Sequence, residues 1–185
     1  MTLRGILNWG WVQKALSLID RKIPGASSAS VALATNDVYQ YLHKPSFREK
    51  MEDGVRSAFV AGTETIVVSH SLGTVVAYNV LAADSPPPDI KVPLFITLGS
   101  PLGVKVVKEK IQRPLVNPSC VGHWFNAMDD RDVVSLFPLD AKNFEVVPGI
   151  ENKTDVDNPT SNRHGISGYL GDPVVARRIH DALTA

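Results

Sequence analysis

Ser71, Asp132 and His164 are the residues of this 185-residue chain whose types and order could support nucleophilic chemistry. A serine hydroxyl is a poor nucleophile near neutral pH, so it needs a base to take its proton, and the base needs an acid to orient it. A serine followed along the chain by an acidic residue and then by a histidine is one order in which such systems occur. The chemistry therefore depends on the elements that carry these three side chains.

Ser71 lies between a short apolar segment and an apolar helical one. Residues 65–68 predict a buried strand, and residues 75–80 predict a helix that leaves directly after the serine. A serine at the corner of a strand-turn-helix is the geometry of a nucleophile elbow, which lifts the hydroxyl above the C-terminal edge of a sheet. Small residues flank such a serine, and here they are Gly73 and, where a glycine is usual, Ser69.

Three aspartates follow a later predicted strand, residues 123–128, at the edge of the sheet where the acid should lie. An aspartate followed by two small apolar residues is the commoner arrangement of the acid in sites of this kind. We therefore prefer Asp132, which two valines follow, and keep Asp129 and Asp130 as alternatives. The other interpretation is that these carboxylates solvate a turn or cap a helix.

His164 is the histidine best placed to be the base. It lies in a polar loop after the last predicted strand and before the final helix, where the base belongs if the order is serine, acid, histidine. Of the other histidines, His123 and His180 are expected in packing or surface positions, and His70, next to Ser71, in shaping the elbow. His43 lies before the sheet begins.

The first third of the chain predicts helices rather than strands. Apolar residues recur at helical spacing over residues 9–20, 29–42 and 47–59. The middle segment also alternates partly like a strand, and helix is the preferred interpretation.

From residue 63 onward, short buried strands alternate with helices, which indicates a parallel sheet with helices on its faces. The predicted strands are residues 65–68, 92–98, 123–128 and, more weakly, 144–147, and the later helices are residues 103–111 and 173–183. We expect one α/β domain over residues 1–185, a length typical of one domain, with a mostly helical part over 1–62. The rest, residues 63–185, is expected to form three layers on a reduced, mostly parallel sheet of about four strands.

Composition argues against several classes of function. Lysine plus arginine and aspartate plus glutamate both total 19, so the net charge is zero and favours no nucleic acid partner. The single cysteine, Cys120, excludes an internal disulfide and a cysteine-cluster metal site. We predict a soluble, cytoplasmic protein, because no secretory signal or membrane-spanning stretch is evident. No metal or organic cofactor is expected, because the histidines and carboxylates lack a metal-ligand spacing.

The motifs around these residues resemble those of α/β-hydrolases of the lipase and esterase type. The resemblance covers residues 37–185 and rests on the segments 68–74, 98–101, 124–134 and 164–170. It implies that Ser71 is the nucleophile, Asp132 the orienting acid and His164 the general base, with the backbone amide of Leu72 as one oxyanion donor. It also implies a small-molecule acyl ester as substrate.

The chain departs from that family before the elbow. Family members usually have strands there, and a loop after one of them, often marked by His-Gly, supplies a second oxyanion amide. The first 60 residues here contain no His-Gly pair. A sheet that begins at the elbow strand exposes an edge, which a homo-oligomer could cover. Acyl transfer or thioester hydrolysis on the same three residues, and a non-catalytic, partner-dependent remnant of the fold, remain alternatives to ester hydrolysis.

Overall fold

The computed structural model describes residues 28–84, 86–87 and 89–185, and the helix predicted over residues 9–20 lies outside them. The described elements are, in chain order, α1 (Ser28–His43), α2 (Pro45–Ser57), β1 (Val67–His70), α3 (Leu72–Leu81), β2 (Val92–Leu98), a 3-10 helix (Pro101–Gly103), α4 (Lys105–Lys108), β3 (Val121–Ala127), β4 (Glu151–Lys153), α5 (Ile166–Leu170) and α6 (Pro173–Thr184). None of these helices has the length and apolar character needed to cross a membrane.

The described sheet has four parallel strands, whose spatial order is their order in the sequence, β1-β2-β3-β4. The register places His70 beside Leu98 and Leu98 beside Ala127, which in turn lies beside Lys153. The strands therefore end together, and the segments that follow them leave from one edge of the sheet. This arrangement confirms the prediction of an α/β protein with a small parallel sheet.

β1, the strand ahead of Ser71, lies at one edge of the described sheet and pairs with β2. A bridge between Glu64 and Lys91 continues the pairing toward the start of both strands. Val68 on β1 is 38% exposed, whereas Ile96, its partner in register on β2, is fully buried. The homo-oligomer expected to cover this edge stays a prediction.

The strand predicted over residues 144–147 is wrong. Phe144 and Val146 are buried, but the backbone amide of Phe144 donates to the carbonyl of Asp140, 2.7 Å away, which closes a turn. Val147 is 86% exposed and precedes Pro148, which has no N–H to donate to a ladder. The apolar alternation of this segment therefore comes from a loop that packs onto the core.

The fourth strand is instead the polar segment β4. Its central residue, Asn152, accepts a hydrogen bond through Oδ1 from Nδ2 of Asn126 on β3, at 2.9 Å. All three residues of β4 are half-buried. A polar edge strand of this kind carries no apolar run, so hydrophobic periodicity does not predict it.

Most of the other elements predicted within the described residues are confirmed, β2 at the predicted bounds and others with shifted bounds. The segment predicted as helix over residues 29–42 is α1, and the last predicted helix is α6. β1 begins at Val67 rather than residue 65, and β3 begins at Val121 rather than residue 123. The helix predicted over residues 103–111 is reduced to a 3-10 turn and the short α4, and α5 was not predicted.

Helices cover both faces of the sheet. On one face the rings of Phe95 and Trp124, 4.9 Å apart, pack with Tyr78 of α3, whose ring lies 5.7 Å from that of Trp124. On the other face Phe125 packs in a separate buried cluster with Val175 of α6. Because alternate residues of a strand point to opposite faces, Trp124 and Phe125 contribute to different cores.

A buried polar network joins α1 and α2 to the helix that follows Ser71. The hydroxyl of Tyr41 donates to Oε1 of Glu52 at 2.7 Å and accepts from Nδ2 of Asn79 at 2.8 Å. Arg48 and Arg56 form ion pairs with the same Glu52 carboxylate, at 2.7 and 3.0 Å. A fully partnered buried network is rigid, so it holds the first two described helices against α3.

Candidate active site

Ser71 occupies a strained turn between β1 and α3, with φ 54° and ψ −129°. A positive φ at a residue other than glycine costs about 1–3 kcal/mol, and such strain is concentrated at functional sites. The backbone around it is tied down on both sides. Its amide donates to the carbonyl of Leu98 at 3.0 Å, and its carbonyl accepts from the amide and the hydroxyl of Thr74, at 3.0 and 2.7 Å.

The two small residues flanking Ser71 differ in their surroundings. Ser69, which stands where a glycine is usual, is buried and donates its hydroxyl to the carbonyl of Ile96 at 2.9 Å. A Cβ placed on Gly73 would have no described atom within 4 Å. Steric contact with the surrounding structure therefore does not require a glycine at position 73.

The side chains of Ser71, His164 and Asp132 lie in one hydrogen-bonded chain. Nε2 of His164 is 2.8 Å from Oγ of Ser71, and Nδ1 of His164 is 2.7 Å from Oδ2 of Asp132. An ionised carboxylate accepts but does not donate, so Nδ1 carries the proton and Nε2 accepts from the serine hydroxyl. This is the proton arrangement that a histidine base needs to activate a serine.

The carboxylate of Asp132 is fully buried and held by three donors. Its Oδ1 accepts from the backbone amide of Val134 at 2.8 Å, and its Oδ2 accepts from the hydroxyl of Tyr169 at 2.5 Å as well as from His164. Hydrogen bonds of this kind compensate the desolvation of a buried charge. The neighbouring Asp129, the buried alternative acid, is used differently.

Asp129 joins the loop after β3 to the loop that carries His164. Its Oδ1 accepts from the amide of Arg131 at 2.8 Å, and its Oδ2 accepts from the amide of Asn158 at 2.9 Å and from Arg163 at 3.3 Å. Asp130, the other alternative, is exposed. Of the three aspartates, Asp132 is therefore the one in contact with His164.

The loop before His164 is organised around Asn158, which is fully buried. Its Nδ2 donates to the carbonyl of Gly165 at 2.9 Å, and its Oδ1 accepts from the amide and the hydroxyl of Thr160, at 3.1 and 2.6 Å. A Cβ on Gly168 would lie 2.0 Å from this Oδ1. The glycine therefore lets α5 approach the asparagine and close the loop.

His70, the residue before Ser71, contacts the candidate base directly. Its Nε2 lies 2.7 Å from the backbone carbonyl of His164 and must donate the proton, and the two rings are 4.6 Å apart. Burial, followed by the proximity of His164, lowers the pKa of His70 below that of a free imidazole. From the sequence, His70 was expected only to shape the elbow. Its contact with His164, 94 residues later in the chain, was not predicted.

Gly99 opens the space in which these side chains meet. It follows β2 with φ 55°, and a Cβ there would lie 3.0 Å from Oδ2 of Asp132, 3.0 Å from Cε2 of Tyr169 and 3.1 Å from Cε1 of His164. Any larger residue would be strained by its backbone and would press on three side chains at once. The segment 98–101 contributes to the family resemblance in the sequence, but the sequence does not show that Gly99 must leave room for three side chains of the site.

Ser100, next to Gly99, ties this turn to the elbow. Its hydroxyl lies 2.7 Å from that of Thr74 and accepts from the amide of Leu102 at 3.2 Å. Ser100 and Thr74 are both buried, and Thr74 also donates to the carbonyl of Ser71. The turn after β2 and the start of α3 are therefore connected by hydroxyl groups beneath the candidate nucleophile.

Leu72 is the first residue of α3. The amides of the first helical turn have no acceptor within the helix and lie at the positive end of its dipole, so the amide of Leu72 is suited to stabilising negative charge beside Ser71. Ahead of β1, the described chain contains helices α1 and α2 and no strand. Residues 28–66 therefore show no strand-loop of the kind expected to supply a second amide.

Comparisons with known protein families, with curated proteins and with solved structures find no match for this chain. Among the residues that the structure describes, no group of three or more histidine, cysteine, aspartate or glutamate side chains is arranged to hold a metal ion. Any assignment of function therefore depends on the geometry around Ser71.

Proposed function

We propose that the protein is a serine hydrolase that cleaves carboxylic esters through an acyl-enzyme on Ser71, on a reduced form of the α/β-hydrolase fold. The observation that carries the proposal is the hydrogen-bonded chain from Ser71 to His164 and from His164 to Asp132, at 2.8 and 2.7 Å. The strained backbone of Ser71 supports it, because the same geometry presents the hydroxyl at the end of the sheet.

In the first half of the reaction, Nε2 of His164 takes the hydroxyl proton as Oγ of Ser71 attacks the ester carbonyl carbon. The carbonyl π electrons move onto oxygen, and the amide of Leu72 stabilises the resulting negative charge. Asp132 stabilises the imidazolium through Nδ1. The imidazolium then returns its proton to the leaving alcohol oxygen as the carbon–oxygen bond of the ester breaks, which leaves the acyl group on Ser71.

In the second half, His164 takes a proton from a water molecule, and the hydroxide oxygen attacks the acyl carbon. The tetrahedral intermediate collapses as the bond to Oγ breaks and Ser71 regains its proton from His164. The products are a carboxylic acid and the free enzyme. An alcohol or thiol in place of water would give acyl transfer by the same steps.

The test is hydrolysis of p-nitrophenyl acetate and p-nitrophenyl butyrate by the wild type, Ser71→Ala and Ser57→Ala. Ser57 lies on the surface of α2, where its hydroxyl donates to the carbonyl of Gly54, so it is a matched control. We expect Ser71→Ala to lower kcat by about 10,000-fold or more and Ser57→Ala to leave it unchanged. Equal hydrolysis by the wild type and Ser71→Ala would overturn the proposal.

A further inference from the structure

We propose that Tyr169 is a positioning residue of this site, whose hydroxyl holds the Asp132 carboxylate and, by sharing its Oδ2 with His164, limits the negative charge that the carboxylate directs at the imidazole. The inference rests on the proposed function, because it assigns Tyr169 a part in the action of Ser71, His164 and Asp132 as one unit.

The contact is short and fully enclosed. Tyr169, on α5, is 0% exposed, and its hydroxyl lies 2.5 Å from Oδ2 of Asp132. Nδ1 of His164 lies 2.7 Å from the same oxygen, whereas Oδ1 accepts from the amide of Val134. One carboxylate oxygen therefore serves two donors, the phenol and the imidazole.

The phenol is the donor in this pair. Burial, followed by the negative charge of Asp132, raises the pKa of Tyr169 above that of a free phenol, so the hydroxyl keeps its proton. The amide of Asp129, 3.3 Å away, donates to the phenolic oxygen, and the hydroxyl of Ser135 lies 3.5 Å from it. The backbone of the loop after β3 thus orients the hydroxyl toward the carboxylate.

A second donor on Oδ2 takes up part of the charge that the carboxylate would otherwise direct at the imidazole. If the phenol is removed, Asp132 attracts a protonated His164 more strongly. The acidic limb of any rate profile that needs neutral His164 is then expected to move to higher pH. A role confined to packing predicts no such shift.

The other groups that face His164 do not replace this effect. Ser71 is neutral, and His70, whose ring lies 4.6 Å away, has its pKa lowered by burial and so carries no charge near neutral pH. Arg163, the preceding residue, is paired with Asp129 at 3.3 Å and with an exposed aspartate, residue 157, at 2.7 Å. The Asp132 carboxylate is the charged group in contact with the imidazole.

The experiment measures the second-order rate of inactivation by an alkyl fluorophosphonate across the pH range in which histidine titrates, for the wild type, Tyr169→Phe and Tyr78→Phe. Tyr78 is an equally buried tyrosine on α3 whose hydroxyl accepts from the amide of Val116 at 3.1 Å, so it matches the chemical change away from the site. We expect the acidic limb for Tyr169→Phe to move up by about half a pH unit or more, and that for Tyr78→Phe to coincide with the wild type.

The outcomes separate the two proposals. A wild type that is folded and does not react with the fluorophosphonate at any pH would overturn the proposed function and, with it, the role of Tyr169. A reactive wild type whose acidic limb coincides with that of Tyr169→Phe would overturn the role of Tyr169 and leave the proposed function standing.

Incorporation of 3-fluorotyrosine at position 169 covers the case in which Tyr169→Phe fails to fold. The fluorinated phenol keeps the shape of the side chain but is more acidic, so it donates a stronger hydrogen bond to Asp132. The acidic limb is then expected to move to lower pH, opposite to the effect of removing the hydroxyl. An unmoved limb would overturn the inference.

Discussion

The imidazole of His70 donates from Nε2 to the backbone carbonyl of His164, 2.7 Å away. The residue next to the candidate nucleophile is thereby bonded to the main chain of the candidate base, although β1 and the loop before α5 are far apart in sequence. The distance between Ser71 and His164 consequently depends on a contact made by a neighbouring side chain.

Replacing His70 by phenylalanine should lower kcat while KM stays near its wild-type value. The aromatic contact with His164 is preserved, but the hydrogen bond that holds the backbone of His164 is lost, so the base is held less well against Ser71. A misplacement that costs about 1.4 kcal/mol of transition-state stabilisation lowers kcat by about 10-fold. Steady-state hydrolysis of p-nitrophenyl butyrate measures it. The control is His180→Phe, on the exposed side of α6, which should behave as the wild type. Equal kcat values for the two variants would contradict the positioning role.

The same residue predicts a pH dependence of stability. Burial, followed by the nearby His164, lowers the pKa of His70 in the folded state, so the folded protein binds fewer protons than the unfolded chain between the two pKa values. The contribution of neutral His70 to the free energy of unfolding is fully present above the unfolded-state pKa of about 6.5 and is lost as the pH falls below that value. Thermal unfolding should show a steeper fall in Tm below about pH 6.5 for the wild type than for His70→Phe. If Tm fell equally with pH in the wild type and in His70→Phe, the result would contradict the conclusion that His70 is buried and neutral in the folded protein.

Substitution by alanine should disrupt the candidate site at Gly99 and be tolerated at Gly73. A Cβ at Gly99 meets Asp132, Tyr169 and His164 at 3.0–3.1 Å and sits on a backbone with φ 55°, so Gly99→Ala should displace the candidate site. A displacement of 1 Å costs about 100-fold in rate, which sets the expected loss. Gly73→Ala meets no described atom within 4 Å and should keep its stability. Urea unfolding and fluorophosphonate labelling of both variants test the contrast, which equal effects would contradict.

Asn158 and Gly168 should show strong non-additivity. Asn158→Ala leaves the Gly165 carbonyl without its donor and should destabilise the protein by about 2 kcal/mol. Gly168→Ala, made alone in the wild type, forces a Cβ to 2.0 Å from the Asn158 side chain and should also destabilise the protein. In the Asn158→Ala background that clash is absent, so the second change should cost much less. Urea unfolding of the wild type, the two single variants and the double variant completes this double-mutant cycle. Additive changes in the free energy of unfolding would show that the close contact with Asn158 is not the cause of the destabilisation by Gly168→Ala.

Much of the fold follows from burial patterns in the sequence. β2 was predicted at its observed bounds, Val92–Leu98, because a strand covered on both faces is a nearly continuous apolar run, here broken only by Thr97 near its end. β4 was missed because an edge strand of glutamate, asparagine and lysine has no such pattern. The apolar residues near it, Phe144 and Val146, belong to a loop on the core.

The candidate site divides in the same way. Ser71 and Asp132 could be selected because each follows a strand that ends at the same edge of the sheet. His164 was chosen for its place after the strand predicted over residues 144–147, whereas the strand that precedes it is β4. The structure nevertheless brings the three side chains into hydrogen-bond contact. Their catalytic roles remain a proposal. The contacts of His70 and Tyr169 join positions 94 and 37 residues apart and carry no periodic signal, so they emerge only from the packed geometry.

The most direct test of the account is to locate the covalent adduct that a fluorophosphonate forms on the folded protein, by peptide mass spectrometry. The account predicts one modified serine, Ser71, with labelling abolished in Ser71→Ala, slowed by about 1,000-fold or more in His164→Gln, and unchanged in Ser57→Ala. An adduct on another serine, or labelling of His164→Gln at the wild-type rate, would contradict the claim that His164 activates Ser71.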